Sequence, residues 1–211
     1  MASISSEKLH YIEQLYYREY KSAREIAGIL NVSLDAVYYF MRHHNLKRRS
    51  LSEENSLRFA NKQRSFVFKQ ELNSSEKELK MAGLMLYWCE GYKTDLCKVV
   101  DFANSDPSMI QIFLRFLREV CGVEESRLRV YLYCYSNQNI EVLKHYWGNV
   151  MKIPLSQFTK PYVRTDFKLD KIGKMPHGMV HVRYGDKKLF LLIKQWIQEY
   201  INHNCVGGGA V

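Results

Sequence analysis

The stretch Leu79-Lys80-Met81-Ala82-Gly83-Leu84-Met85-Leu86-Tyr87-Trp88-Cys89-Glu90-Gly91 is apolar almost throughout, with two small residues inside it and one carboxylate at its end. At 3.6 residues per turn, Leu79, Gly83, Leu86 and Glu90 fall on one face, while Met81, Leu84, Met85 and Trp88 crowd the other. A helix apolar on both sides is buried on both sides. Ala82 and Gly83 allow a partner backbone to come close. Glu90 stands near the C-terminal end, where the helix dipole disfavours an anion and Gly91 suits the cap. One reading makes Glu90 an ordinary polar residue ending a buried helix. The other gives it a function.

The surrounding sequence reads as α+β. Ser75 with Glu78 forms a capping box ahead of this helix. Residues 98 to 104 (Lys-Val-Val-Asp-Phe-Ala-Asn) are strand-like. Asp106 then caps a helix with Pro107 at its first position. Residues 127 to 135 alternate, with Leu128, Val130, Leu132 and Cys134 on one face and Arg127, Arg129, Tyr131, Tyr133 and Tyr135 on the other. A strand presenting arginines and tyrosines suits a surface laid on DNA, although the alternation itself requires only that one face be buried. Residues 139 to 150 form a further helix. Residues 162 to 169 and 179 to 184 read as strands, the latter turning His181 and Arg183 away from Val180 and Val182, where with Arg127, Arg129, Tyr131 and Tyr133 they are expected to contact DNA along the sheet. Asp186 opens a final amphipathic helix. The expected result is a mixed or antiparallel sheet with helices on one face.

Upstream, residues 1 to 46 are helical. Ser22 with Glu25 is a capping box, Asn31-Val32-Ser33 is a tight turn, and Ser33 caps a second helix. Small Ala27 and apolar Ile26, Leu30, Val32 and Val37 stand at the spacings of a helix-turn-helix. The segment resembles the DNA-binding helix-turn-helix of resolvase and sigma-factor type, the alternative being a three-helix module that touches no nucleic acid. On the DNA-binding reading Ser33, Asp35, Tyr38, Tyr39, Arg42 and His43 lie on or beside the reading face. Lys47, Arg48 and Arg49 follow, then Arg58, Lys62, Arg64 and Lys69 against only Glu53 and Glu54. Such a run tracks phosphates and contributes affinity rather than sequence choice. Residues 47 to 74 read as a basic linker, partly helical, between the head and a second domain of residues 75 to 204. Residues 205 to 211 read as a flexible tail.

The 211-residue chain carries a net charge of +9 and 15 tyrosines, which directs attention to a polyanionic partner. Its five cysteines are odd in number and include no C-x-x-C pair, against a disulfide framework or a zinc site. Without a leader or spanning apolar run, the expected location is the cytoplasm, with no membrane association. No Ser-His-Asp pattern, glycine-rich phosphate loop or H-E-x-x-H element supports protease, hydrolase or nucleotidase chemistry.

Residues 82 to 91, Ala-Gly-Leu-Met-Leu-Tyr-Trp-Cys-Glu-Gly, look like the LAGLIDADG motif of homing endonucleases, whose signature helix ends in an acid followed by glycine. The segment Phe102-Ala103-Asn104-Ser105-Asp106-Pro107 looks like the one that follows the signature. The resemblance covers about residues 76 to 202. It implies that two signature helices pack at their small residues and deliver their acids to the scissile phosphates, holding divalent metal, usually Mg2+. The matching acid is Glu90, as metal ligand and catalytic group. With one copy of the motif, the resemblance implies a homodimer joined at Leu79, Ala82, Gly83 and Leu86, acting on near-palindromic double-stranded DNA. Lys93 and Lys98 are the candidates for an assisting base. The connection after Gly91 is shorter than the family's long first strand, and the helix at 139 to 150 is extra. Similar domains joined to a helix-turn-helix occur in WhiA-type sporulation regulators, so a non-cleaving transcriptional regulator is the alternative to a site-specific endonuclease.

Overall fold

Two capping devices and a left-handed asparagine set the geometry of the N-terminal unit. The computed structural model describes residues 4–94, 96–165 and 175–205 and divides into two units, Met1–Gln63 and Arg64–Val211. In the first, α1 (Leu9–Glu13) runs on into a π-helical turn, Gln14–Arg18. Helix α2 (Ala23–Leu30) opens on the expected box: Glu25 N donates to Ser22 Oγ at 3.2 Å, and Ser22 N to a Glu25 carboxylate oxygen at 2.7 Å. Asn31 then takes φ 52°, ψ 48°, a conformation its short polar side chain tolerates, and reverses the chain. Ser33 caps α3 (Leu34–His43), accepting from Ala36 N at 3.1 Å. Ile12, Tyr16, Ile26, Ala27, Val37, Phe40 and Met41 bury a common core.

The segment expected to be a basic linker is more ordered than its charge indicates. Ser50 and Glu53 form a capping box that opens α4 (Leu51–Asn61). Beyond it Phe66 is buried in the core of the second unit. Val67 N donates to Gly122 O, and Lys69 N to Val120 O, each at 3.0 Å. Gly122 has φ +59° and would drive a Cβ to 2.1 Å from Val67 O, so this close crossing requires glycine.

Helix α5 (Ser74–Glu90) carries the apolar stretch. Its cap is Asn73 with Glu76 rather than Ser75 with Glu78, two residues earlier than expected. Four strands follow among the described residues: β1 (Val100–Asn104), β2 (Leu128–Tyr135), β3 (Tyr162–Arg164) and β4 (Met179–Tyr184). They form one mixed sheet in the order β1-β4-β2-β3, with only the β2–β3 pair parallel. That pair needs a crossover, which α7 (Ile140–Met151) provides. Residues 166 to 169 of the expected third strand lie outside the described residues, as do 206 to 211 of the expected tail. Helix α6 (Pro107–Arg115) runs into a second π-helical turn, Phe116–Val120, and α8 (Lys187–Asn204) closes the described chain.

The inward strand residues Val100, Phe102, Val130, Leu132, Val180 and Val182 share a core with Leu84, Phe113, Phe116, Trp147, Leu189 and Ile193 from the helical side. The helices therefore cover one face of the sheet, as expected. Asp186 anchors α8 and ties it to the incoming chain: it accepts from Lys188 N at 2.8 Å, Ser65 Oγ at 2.7 Å and Ser65 N at 3.1 Å.

Candidate functional site

The end of α5 and the open side of β1 and β4 border an open cavity of about 440 Å³, lined by Glu90, Gly91, Tyr92, Asp101, Ala103, His181 and Arg183. Gly91 leaves the helix extended, at φ −77° and ψ 149°, and bridges Phe102 of β1. A Cβ there would lie 2.4 Å from the Tyr87 ring and 2.5 Å from Tyr87 O. Glycine thus lets the chain turn at once from the helix to the sheet edge, where Tyr92 N donates to Asp101 O at 2.9 Å. Beneath this link the Tyr87 hydroxyl donates to Tyr92 O at 2.9 Å, and burial pushes its pKa well above the ordinary tyrosine value.

Asp101 is the centre of the charges in the cavity. It is buried and accepts from Arg183 Nε at 2.6 Å and from His181 Nδ1 at 2.9 Å. Strand register explains the meeting: Asp101 pairs with Arg183 and Ala103 with His181 across the β1–β4 ladder. Burial works against the Arg183 charge, but Asp101 and Tyr131 beside it outweigh that and raise its pKa. Glu90 is exposed at the rim. Neither Lys93 nor Lys98 lines the cavity. Lys93 Nζ donates to Trp88 O at 2.6 Å, tying down the last turn of α5, and Lys98 is exposed. The basic groups at this site are His181 and Arg183.

Among the described residues, no group of three or more His, Cys, Asp or Glu is placed to hold a metal ion. Magnesium is commonly held by one or two carboxylates together with substrate phosphates, a requirement Glu90 can meet as a single open ligand.

The rest of the open sheet face is aromatic and basic. Arg129, Tyr131 and Tyr133 stand on it opposite Arg183, His181 and Met179. Tyr133 lies between His181, at a ring separation of 4.5 Å, and Tyr162, at 5.2 Å. The Arg183 guanidinium sits 4.1 Å over the Tyr131 ring. Arg129 donates to Ser126 O and Leu128 O, each at 2.7 Å, and Arg127 to Gly185 O at 3.0 Å. Arg127 precedes β2 in a 3-10 turn, so it frames the sheet instead of joining its face.

On the N-terminal unit, Asp35, Tyr39, Arg42 and His43 are exposed along α3, and Tyr39 stacks on His43. Arg48 lies 4.1 Å over Tyr38. Lys47 is exposed, with its carbonyl accepting from Tyr17 OH at 2.8 Å. Ser33 has its side chain at the helix cap. Arg49 is placed differently from its neighbours. Its guanidinium donates to Tyr16 O at 2.8 Å, Lys21 O at 2.6 Å and Glu54 Oε1 at 2.9 Å, lies 3.9 Å over Tyr16, and its side chain is 10% exposed. It is a clamp within the unit and is not presented to a ligand.

The residues expected at a dimer seam also divide. Leu79 and Gly83 point into the core, Gly83 directly beneath Phe116, and Leu86 packs partly against that core. Ala82 is exposed, on a strip with Met81, Trp88 and Cys89. The helix is therefore covered on one side, where burial on both was expected; its apolar residues run round the helix, so periodicity does not orient it, and Phe116 fills the space beside Gly83 where a partner backbone was expected. Asp101 was not among the expected site residues. The alternation Val100, Asp101, Phe102, Ala103 carries its signal, an acid on the open side of a strand.

Comparison of the chain with models of known protein families, with curated proteins and with solved structures finds no match.

Proposed function

We propose that this protein binds double-stranded DNA through its N-terminal unit and hydrolyses a phosphodiester bond at the Glu90–Asp101–His181–Arg183 cavity, as a homodimer. The observation that carries the reading is the placement of Glu90, the acid matching the LAGLIDADG signature, on the rim of a cavity that also holds a buried Asp101 paired with half-buried His181 and Arg183. Neither Asp101 nor His181 entered into that resemblance. Exposed Tyr39, Arg42 and His43 on α3, with Arg48 stacked on Tyr38 beside them, supply polar and cationic groups for a groove and its phosphates.

In this reading Glu90 is the open ligand for Mg2+, which when bound neutralises the phosphate and acidifies water. The chain's own residues do the remaining work. Arg183, held by Asp101 and backed by Tyr131, offers a fixed positive charge to a phosphate oxygen. Asp101 accepts the His181 Nδ1 proton and so leaves Nε2 as the basic nitrogen, suited to accept a proton from attacking water. Dimerisation uses the exposed strip of α5, with Met81, Ala82 and Trp88, and not Gly83.

The test is selection of bound duplexes from a random library at low salt, followed by addition of Mg2+. A selected site that is nicked only after the addition supports the proposal. Salt-sensitive binding without any nicking leaves a transcriptional regulator, and the absence of salt-sensitive binding refutes both readings.

A further inference from the structure

The open face of the sheet has a chemistry of its own. Groove readers present long, separated polar side chains to base edges. Here flat rings adjoin one another across three strands: Tyr162 on β3, Tyr133 on β2 and His181 on β4, at successive separations of 5.2 and 4.5 Å. Tyr131, backed by Arg183 at 4.1 Å, lies one pair further along β2. Tyr162 is 59% exposed at the outer end of this row. At the inner end, His181 belongs to the Glu90 cavity. Rings that overlap so closely leave little room for side chains reaching into a groove; Tyr133 is covered by His181 and Tyr131 by Arg183, whereas the exposed outer ring, Tyr162, offers a surface to a base that has left its stack. Arg129 gives the same face positive charge for a backbone, the Arg183 charge being paired with Asp101. Aromatic rings joined to a basic track are the elements by which proteins hold single strands without regard to sequence.

We propose that this face binds single-stranded DNA, with an unpaired base seated on Tyr162, where it extends the stack of Tyr133 and His181, and the backbone led towards the Glu90 cavity. The inference deepens the proposed function, since it makes the strand reaching that cavity locally unpaired. It does not require cleavage, and it is independent of what α3 reads.

The experiment uses the full chain and fluorescence anisotropy of a labelled 15-nucleotide oligothymidylate, with a duplex hairpin and a 15-nucleotide oligouridylate as parallel probes. Wild type is expected to bind oligothymidylate. The pair Tyr133→Ala and Tyr162→Ala should weaken that binding by about tenfold, with duplex binding through the head changed less than threefold, an order set by the loss of about one stacked base. The pair Tyr133→Phe and Tyr162→Phe keeps the rings and should bind as wild type, which separates stacking from hydrogen bonding and from damage to the fold. Arg42→Ala should lower duplex binding and leave oligothymidylate binding intact. Failure to bind oligothymidylate, or undiminished binding by a folded alanine pair, overturns the proposal even if duplex cleavage is observed. Oligouridylate bound more than tenfold tighter than oligothymidylate overturns the choice of DNA.

Discussion

Replacing Gly83 with alanine separates two uses of the small residues in α5. In a solvent-exposed helix this change is favourable, because alanine exceeds glycine in helix propensity by about 1 kcal/mol. Here the added Cβ would lie 2.2 Å from Phe116 Cγ, 2.5 Å from its Cβ and 2.6 Å from its Cδ1. Those atoms are at the root of a fully buried ring, on a π-helical turn held by the core, so the ring cannot swing clear. Overpacking of this kind costs about 1–3 kcal/mol, and a contact at the Phe116 Cβ belongs at the upper end. The net expectation is a loss of about 2 kcal/mol, which in a protein of this size lowers the thermal midpoint by about 4–8 °C. Circular-dichroism melts of Gly83→Ala, Phe116→Ala and the double variant provide the assay. The double variant should lose less than the sum of the two single losses, because alanine at position 116 removes the Cγ and Cδ1 that crowd position 83. A midpoint raised by the single substitution, or a change confined to the dimerisation constant, would refute the assignment of Gly83 to the interior.

Three further outcomes follow from the same geometry. Arg49→Lys keeps the charge but loses the planar fork that spans Tyr16 O, Lys21 O and Glu54; it should destabilise the N-terminal unit by about 2 kcal/mol, measured by urea denaturation, whereas Arg48→Ala should leave the midpoint within about 0.5 kcal/mol and weaken duplex binding. Arg42→Ala should reduce the slope of log K against log salt for duplex binding by about 1, the signature of one lost phosphate contact. Burial alone would raise the Asp186 pKa, but hydrogen bonds from Ser65, Lys188 and Leu189 outweigh it and hold the pKa below the ordinary aspartate value. The stability from this group is therefore present above the unfolded-state pKa of about 3.9 and is lost as pH falls through the lower folded value. Asp186→Asn turns an amide N–H towards the Ser65 donors, so it should lower stability at pH 7 and flatten its decline as pH falls below about 4, followed by urea midpoints across acid pH.

Local chemistry made much of this fold legible. Ser22, Glu25, Asn31 and Ser33 each act through neighbours a few residues away, so the head can be read from spacing. The alternation from Leu128 to Cys134 likewise assigns both faces of β2 without its partners, but Tyr135, expected on the open face, is buried. The start of α5 is less determinate, since Asn73-x-x-Glu76 and Ser75-x-x-Glu78 are overlapping boxes of the same kind and packing selects between them. The Ser50–Glu53 box is equally readable, and a partly helical linker was expected there, but the surrounding charge gives the helix no apolar face from which to read its bounds. Long-range features were not legible. Nothing near Gly83 specifies that Phe116 will lie over it, and nothing near Arg49 specifies two carbonyls about 30 residues upstream. The meeting of Asp101, His181 and Arg183 depends on the β1–β4 register, which joins residues 80 or more apart in sequence.

The account depends most on what Glu90 does. The direct measurement is strand cleavage of a selected, bound duplex in Mg2+ under single-turnover conditions, with wild type and Glu90→Gln compared at matched occupancy. The account predicts nicking by wild type and a loss of at least a hundredfold in Glu90→Gln, with duplex affinity little changed, as expected when a group acting on the reacting phosphate is removed. Equal rates for the two proteins, or tight binding by wild type without any nicking, would contradict it.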